Sequence, residues 1–385
     1  MRNTIDISVI IPAYNADNYI EECMDSVLRQ NDINIEILAV DDGSTDRTGE
    51  ILDTYAERYD NVRILHKENG GVSSARNAAL QCATGKYVCY LDSDDYYVTG
   101  ALRQAFEMCE EKEADVLFMM YRNFYDNELA EADYPVKDIK QEMRSGRYPE
   151  NPVSGLDLLD IFKKNKEYNV MVCMQMVRRD LLERNRIHFE NGIIFEDAPY
   201  TLSVLLHAQR AIAWNKNLFN YRIRNNSLCH RPADAERCYG AFKGLLYMME
   251  YVRTVGTIPE ANVAAVASEL RRRYRFTTRT FIAIDKLERE KLRELFSSEE
   301  YVFFEVLVRT YGLLDSQKKK KKEMKKNEKC LEEINRQQEE LEILRSQLKD
   351  KENENNQIRN SWTFKIGKRI VAPLSKIKKL VVCNN

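Results

Sequence analysis

No stretch of this 385-residue chain approaches the roughly 20 consecutive apolar residues that a membrane-spanning helix needs. The apolar opening "ISVII" is too short for a signal peptide and runs at once into "PAYN", so neither a membrane crossing nor export by that route is expected. None of the nine cysteines (Cys23, Cys82, Cys89, Cys109, Cys173, Cys229, Cys238, Cys330 and Cys383) forms a C-x-x-C pair. That removes a zinc ribbon and points to a reducing cytosol with mostly buried thiols. Histidine is scarce, and His66, His188 and His207 fall in no ligand or triad spacing. A G-x-G-x-x-G loop and a Ser/His/Asp arrangement are also missing, so dinucleotide oxidoreductases and serine hydrolases lose support.

What is present is an ordinary core composition, 44% hydrophobic, with an uneven distribution of charge. Residues 318–385 hold 19 Lys/Arg and 10 Asp/Glu, leaving 40 basic and 51 acidic residues in 1–317. A tail of +9 on a body of −11 predicts a negatively charged surface as the tail's partner and no nucleic acid for the body.

Four β-branched runs, "ISVIIPAY", "IEILAVDD", "VRILHKE" and "YVCYLDSD", alternate with the helical patterns "NYIEECMDSVLRQ", "TGEILDTYAERY" and "VSSARNAALQCAT". This βαβαβαβ order predicts an α/β fold with a mostly parallel sheet. Ligands collect at the carboxyl ends of such strands. Tyr14, Asp41, Asp42 and the run Asp92, Ser93, Asp94, Asp95 all fall there. Later residues read less regularly: helices near 100–113, 155–165 and from 196, strands at 114–125, 169–179 and 211–224, then helix throughout 235–315. The expected division is a catalytic unit over 1–232, a helical unit over 233–316, a basic linker and coiled coil over 317–360, and a terminal segment over 361–385.

Each motif has a plain structural reading beside the chemical one. In "VDDGSTD", Ser44 or Asp46 could cap the following helix. Capping leaves Asp42 unexplained, whose carboxylate at a strand end can accept from the N–H of a base. Three carboxylates in "DSDD" are costly together unless a cation or a set of donors neutralises them. Turn formation by Asp92 and capping by Asp95 would account for one or two of them, not three.

"SVIIPAYN", "DDGSTD", "NGGVSSARNAAL" and "YLDSDD", in this order and spacing, resemble the N-terminal half of the family-2 glycosyltransferases, which have the GT-A nucleotide-sugar-binding fold. The resemblance is strong over residues 7–98 and looser to about 230. It implies a donor site at Pro12, Tyr14, Asp42, Arg76, Asp92 and Ser93, in which Tyr14 stacks on the nucleotide base, Asp42 reads its N–H and Arg76 approaches the nucleotide. A salt bridge tethering the strand-end loops is the structural alternative for Arg76. The resemblance further implies that Asp92 meets the ribose side while Asp94 binds a divalent cation, Mg²⁺ or Mn²⁺, on the diphosphate.

A helix start alone explains the acidic pair Glu196–Asp197 through the helix dipole. Its place about 100 residues beyond the donor half matches the family's catalytic "ED", which makes Asp197 the general base. A single displacement would then invert the anomeric centre. In "YRIRNNSLCH", Arg222 and Arg224 share one strand face, where they would meet a diphosphate or an anionic acceptor, and His230 is a further metal candidate.

From Lys318 the chain is charged, and Ile334, Leu341 and Leu348 repeat at seven, a weak coiled-coil seam through which copies could pair. Residues 361–382 combine Trp362, Phe364, Ile366 and Ile370 with six basic residues and no acidic one, the pattern of a segment lying on an anionic membrane. The expected enzyme transfers a sugar from a nucleotide sugar, a UDP-sugar by preference, to a glycan or lipid-linked acceptor at the inner face of the cell membrane. A nucleotidyltransferase is the rival enzyme class, but "IPAYNADNYI" stands where its glycine-rich basic loop belongs. A non-catalytic scaffold is the other rival, and the intact "DSD" and "ED" argue against it.

Overall fold

A computed structural model describes residues 4–127, 147–224 and 232–323, with side chains as far as residue 310. His230, most of the expected coiled coil and the whole 361–385 segment lie outside the described residues. Residues 1–301 form one compact unit and residues 302–385 a second. The helices that follow residue 232, up to Glu294, therefore belong to the same unit as the sheet.

The first unit is built on an eight-stranded sheet in the order β3-β2-β1-β4-β7-β6-β8-β5. The strands are β1 Ile7–Ala13, β2 Ile35–Asp41, β3 Val62–His66, β4 Tyr87–Tyr90, β5 Tyr96–Tyr97, β6 Val116–Tyr125, β7 Gln175–Arg178 and β8 Ala211–Ile223. β1 and β2 are buried along their whole length, as strands covered by helices on both faces are, and their buried Ser8 and Glu36 satisfy each other at 2.6 Å. β1 runs parallel to β2 and β4, and β2 to β3. Pro12 is tolerated in this interior strand because the β1–β4 ladder stops at Ile10↔Tyr90.

The mostly parallel expectation holds for β1–β4 and for the β6–β8 pair, and gives way elsewhere. β7 is antiparallel to both β4 and β6, and β5 to β8, so the sheet is mixed. The expected strand over 169–179 is half turn: Val172–Met174 is a 3₁₀ helix that delivers the chain into β7. Apolar periodicity does not separate these two states over so short a run.

Among the described residues the helices are α1 Ile20–Leu28, α2 Thr48–Arg58, α3 Val72–Cys82, α4 Ala101–Glu111, α5 Gly155–Asn165, α6 Arg179–Arg184, α7 Asp197–His207, α8 Ala235–Thr254, α9 Glu260–Ala283, α10 Lys286–Glu294 and α11 Ser298–Glu323. α3 packs across β1 and β2, while α9 packs on α8 and α5 and α8 also packs on α7. No described helix is long and apolar enough to cross a membrane.

Candidate active site

The donor-side loops are fixed to one another by backbone hydrogen bonds. Beyond β1, Asn15 N–H donates to Ser44 Oγ (3.0 Å), Ala16 N–H to Thr48 Oγ1 (2.8 Å) and Asp17 N–H to Asp46 Oδ2 (3.2 Å). Ser44 thus serves the neighbouring loop. Asp46 does both jobs, its other oxygen accepting from Thr48 N–H at the start of α2 (2.9 Å). Asp42 is buried and accepts from Gly70 N–H (3.0 Å), Gly71 N–H (2.8 Å) and Lys67 Nζ. Gly43 makes this arrangement possible: its φ is +74°, and a Cβ there would sit 2.8 Å from the backbone nitrogen of Asn69. A base N–H reaching Asp42 would share or replace the Lys67 contact. Tyr14 is 52% exposed at the mouth of the same loops, leaving a ring face open for stacking.

The "DSDD" turn follows β4 and is closed by Asp95 N–H donating to Asp92 C=O (3.0 Å). Its carboxylates face in different directions. Asp92 accepts from Arg76 (2.8 Å), Asp94 from Arg224 Nε (2.6 Å), and Asp95 from the backbone N–H of Arg222 (2.8 Å). Arg222 donates through Nε to the Asp94 carbonyl (2.8 Å) and also pairs with Asp126 and Glu22. Both strand arginines therefore stand on the cluster, as their alternation predicts. Ser93 is half-buried between these carboxylates.

Burial raises Asp94 and its neighbour Asp92 adds to the rise, while Arg224 opposes it. Asp95 lies well above the usual carboxylate range because it is desolvated beside Asp94 and Asp92. Its Oδ2 is buried without a partner. Donor atoms of Asp92, Asp95 and Cys173 converge within 4.8 Å of one another. Hard carboxylates suit Mg²⁺ or Mn²⁺, whereas burial keeps the Cys173 thiol protonated and a poor ligand for them. The residues thus fit a hard divalent cation held by carboxylates, with the orphaned Asp95 oxygen its clearest vacant donor. Asp94, the sequence-based choice of ligand, faces Arg224 instead.

Glu196 and Asp197 stand at the start of α7, as expected, and reach the donor side through Arg76. The Arg76 guanidinium is 3% exposed and donates to Glu196 (2.8 Å), Asp197 (3.1 Å) and Asp92. It rests over the Phe189 ring at 5.1 Å, and Phe189 stacks on Tyr200 at 4.2 Å. A guanidinium already shared among three carboxylates has little left to offer a nucleotide, and this geometry favours the tether. Desolvation and the adjacent Glu196 push Asp197 upward against the pull of Arg76. A carboxylate so placed is a proton acceptor of unusual strength.

Residues 8–186 match glycosyl transferase family 2. Over 235 residues, the chain is 31% identical to the glycosyltransferase GlyG of Streptococcus pneumoniae, spanning 59% of this chain and 74% of that protein. The chain belongs to glycosyl transferase family 2. This glycosyltransferase is also 34% identical over 229 residues to the uncharacterized glycosyltransferase EpsJ of Bacillus subtilis, an alignment that takes in 59% of this chain and 63% of EpsJ. A crystal structure of Staphylococcus aureus TarS 1–349 in complex with UDP-GlcNAc superposes with a TM-score of 0.60 at 23% identity, covering 75% of this chain and 78% of that one. The likeness places the transferase in the same fold.

Sequence reading missed Phe195, the residue before the acidic pair. It has a φ of +73°, a costly conformation for an aromatic residue. Phe276 meets its ring edge-on at 4.8 Å, and the guanidinium groups of Arg237 and Arg273 lie 5.0 and 5.8 Å from its centroid. Phe276 from α9 and Arg237 from α8 make the nearer contacts at this turn before Glu196 and Asp197. The signal available in the sequence was "RRRYRF", residues 271–276, where arginines and aromatics interleave on a helix.

Proposed function

We propose that this glycosyltransferase is an inverting, metal-dependent enzyme that transfers a sugar from a UDP-sugar to a glycan or lipid-linked acceptor in cell-envelope polysaccharide synthesis. The observation that carries the reading is the single buried guanidinium of Arg76, which holds Asp92 of the donor cluster beside Asp197 on the acceptor side. In this reading the donor carboxylates and a proton acceptor flank one reacting centre.

In this reading Asp197 takes the proton from the acceptor hydroxyl as its oxygen bonds to the anomeric carbon. The bond from that carbon to the diphosphate oxygen breaks, and the electron pair leaves with the nucleoside diphosphate. A Mg²⁺ or Mn²⁺ ion held by Asp94 with Asp92 or Asp95 would stabilise the charge that builds on the departing group. With a cation on Asp94, Arg224, which pairs with that carboxylate here, would be available to the diphosphate. Tyr14 supports the base and Asp42 its N–H. Relatives whose names refer to poly(ribitol-phosphate) glucosylation and minor teichoic acid biosynthesis support an envelope polymer as the acceptor. The basic residues 318–385 support attachment at the cytoplasmic membrane face, and the heptad leucines a self-associating tail.

A panel of nucleotide sugars incubated with Mn²⁺ tests this directly. Slow donor hydrolysis restricted to UDP-sugars, abolished by chelator and giving the inverted anomer by NMR, is the expected result. Retained configuration, or hydrolysis indifferent to chelator, would overturn it.

A further inference from the structure

Arg273 on α9 is a buried cation lacking the usual partner. It is 5% exposed, its Nε is shielded from solvent without a hydrogen bond, and among the described residues no carboxylate pairs with it. Two aromatic rings lie against it, Phe195 at 5.8 Å and Phe276 at 5.4 Å. Desolvation and the adjacent Arg272 pull it down from the ordinary arginine value to about 10. Burying a charge costs several kcal/mol unless it is paired, so a chain that keeps one unpaired is holding it for something.

The surroundings add more positive charge than negative. Glu269, fully buried on the same helix, is shared by Lys163 and by Arg272 at 2.7 Å. Glu269 thus faces three cations, Lys163, Arg272 and Arg273, and Asp197 is the other carboxylate that acts on Arg273. The Tyr168 hydroxyl, with Lys163 4.2 Å from its ring centroid and Arg272 at 5.6 Å, is also buried without a partner. Two donors are therefore left over in a cluster where cations outnumber carboxylates. Phe195 connects the cluster to the chemistry, because Arg273 lies over a ring only two residues before Asp197.

We propose that Arg273, supported by Tyr168, receives a phosphoryl group of the acceptor and so seats the acceptor hydroxyl beside Asp197. The planar guanidinium matches two phosphoryl oxygens, and the surplus charge of the cluster matches the anion. Arg273 is then a specificity-determining residue on the acceptor side, with no part in donor binding. The inference rests on the glycosyltransferase reading only in assigning the anion to the acceptor. The phosphoryl group could come from a polyol-phosphate polymer or from a polyprenyl-phosphate carrier, which present the same chemistry.

The test is thermal unfolding of the full chain and of Arg273→Met and Arg273→Lys, with saturating UDP and Mg²⁺ so that the diphosphate site is filled. Inorganic phosphate is titrated against potassium chloride of equal ionic strength. Wild type should gain stability with phosphate, Arg273→Met should show none of that gain, and Arg273→Lys should keep part of it. Without phosphate, Arg273→Met should melt higher than wild type, since an unpaired buried charge has been removed. Glycerol 3-phosphate and a polyprenyl phosphate in micelles then separate the sources, the stronger stabiliser naming the acceptor class. Absence of any phosphate response in wild type, an equal response in Arg273→Met, or a lower melting point or failure to fold in Arg273→Met would each overturn the proposal. UDP titration of the same proteins tests the donor reading separately: UDP binding without a phosphate response sinks this inference alone.

Discussion

The loops after β1, β2 and β3 and the proposed acceptor side on α7 and α9 treat their charged groups in opposite ways. Asp41, Asp42 and Asp46 in the donor loops each accept at least one short-range or loop-to-loop N–H, and the two loops lock together. On the proposed acceptor side, Asp197 is raised by burial beside Glu196, Phe195 holds an unfavourable φ, and among the described residues no carboxylate forms an ion pair with Arg273. The lesson is that the first region is organised before a ligand arrives, while the second stores electrostatic and backbone cost that a bound acceptor can relieve. Arg76 joins them.

Four experiments would break or sharpen that contrast. The largest effect is expected from Asp197→Asn, which should lower transfer by about 10² to 10⁴, the worth of a positioned general base, while UDP affinity stays near wild type. Because Asp197 is raised and must be ionised to accept a proton, wild-type turnover should fall as pH is lowered through its pKa, and the residual activity of Asp197→Asn should lose that dependence. Transfer at near-normal rate would move the role to Glu196 or elsewhere.

Next in size, Arg76→Met would leave Asp92, Glu196 and Asp197 without their shared cation. Breaking such a buried network costs about 3–5 kcal/mol, so the midpoint of urea unfolding should drop sharply. A small change would show that the two regions do not depend on this link.

Asp94→Asn should weaken Mn²⁺-dependent UDP binding about tenfold or more without harming the fold, since it relieves repulsion from Asp92 and Asp95. Unchanged metal-dependent affinity by isothermal titration would assign the cation to Asp92 and Asp95 alone.

The smallest effect concerns His66, whose Nδ1 meets Asp41 (3.1 Å) and whose Nε2 meets Asp53 (2.8 Å). Hydrogen bonds to Asp53 and Asp41 raise its pKa above the ordinary histidine value of about 6.5. The stabilisation is then fully present below that ordinary value and lost as pH rises through the raised one. The ring is half exposed, so less than about 1 kcal/mol is expected. His66→Gln should narrow the difference in melting temperature between pH 5.5 and pH 8.5; an unchanged difference would place the pH sensitivity elsewhere.

The same contrast explains what could be read without coordinates. β1 to β4, α1 to α3 and the strand-end motifs were legible because local pattern dictates them: the strands are short, mainly apolar and β-branched runs, and the candidate site residues follow them. The antiparallel entry of β7 and the two-residue β5 were not, since pairing direction depends on partners far away in sequence. Arg273 was the least legible. An arginine on a helix reads as a solvated face until the packing of α9 against α8 and α5 shows that it has none. Phe195 was hidden likewise, because only tertiary contacts hold an aromatic residue at positive φ.

The central claim, a donor region organised in advance and an acceptor region that carries the proton transfer, is tested most directly by measuring UDP affinity and sugar transfer in parallel for Asp42→Asn and Asp197→Asn. The account predicts opposite patterns. Asp42→Asn should weaken UDP binding by roughly tenfold, the order of one charge-assisted hydrogen bond, with transfer at saturating donor little changed. Asp197→Asn should leave UDP affinity intact and lose transfer. Parallel losses of both quantities in both variants would contradict the division.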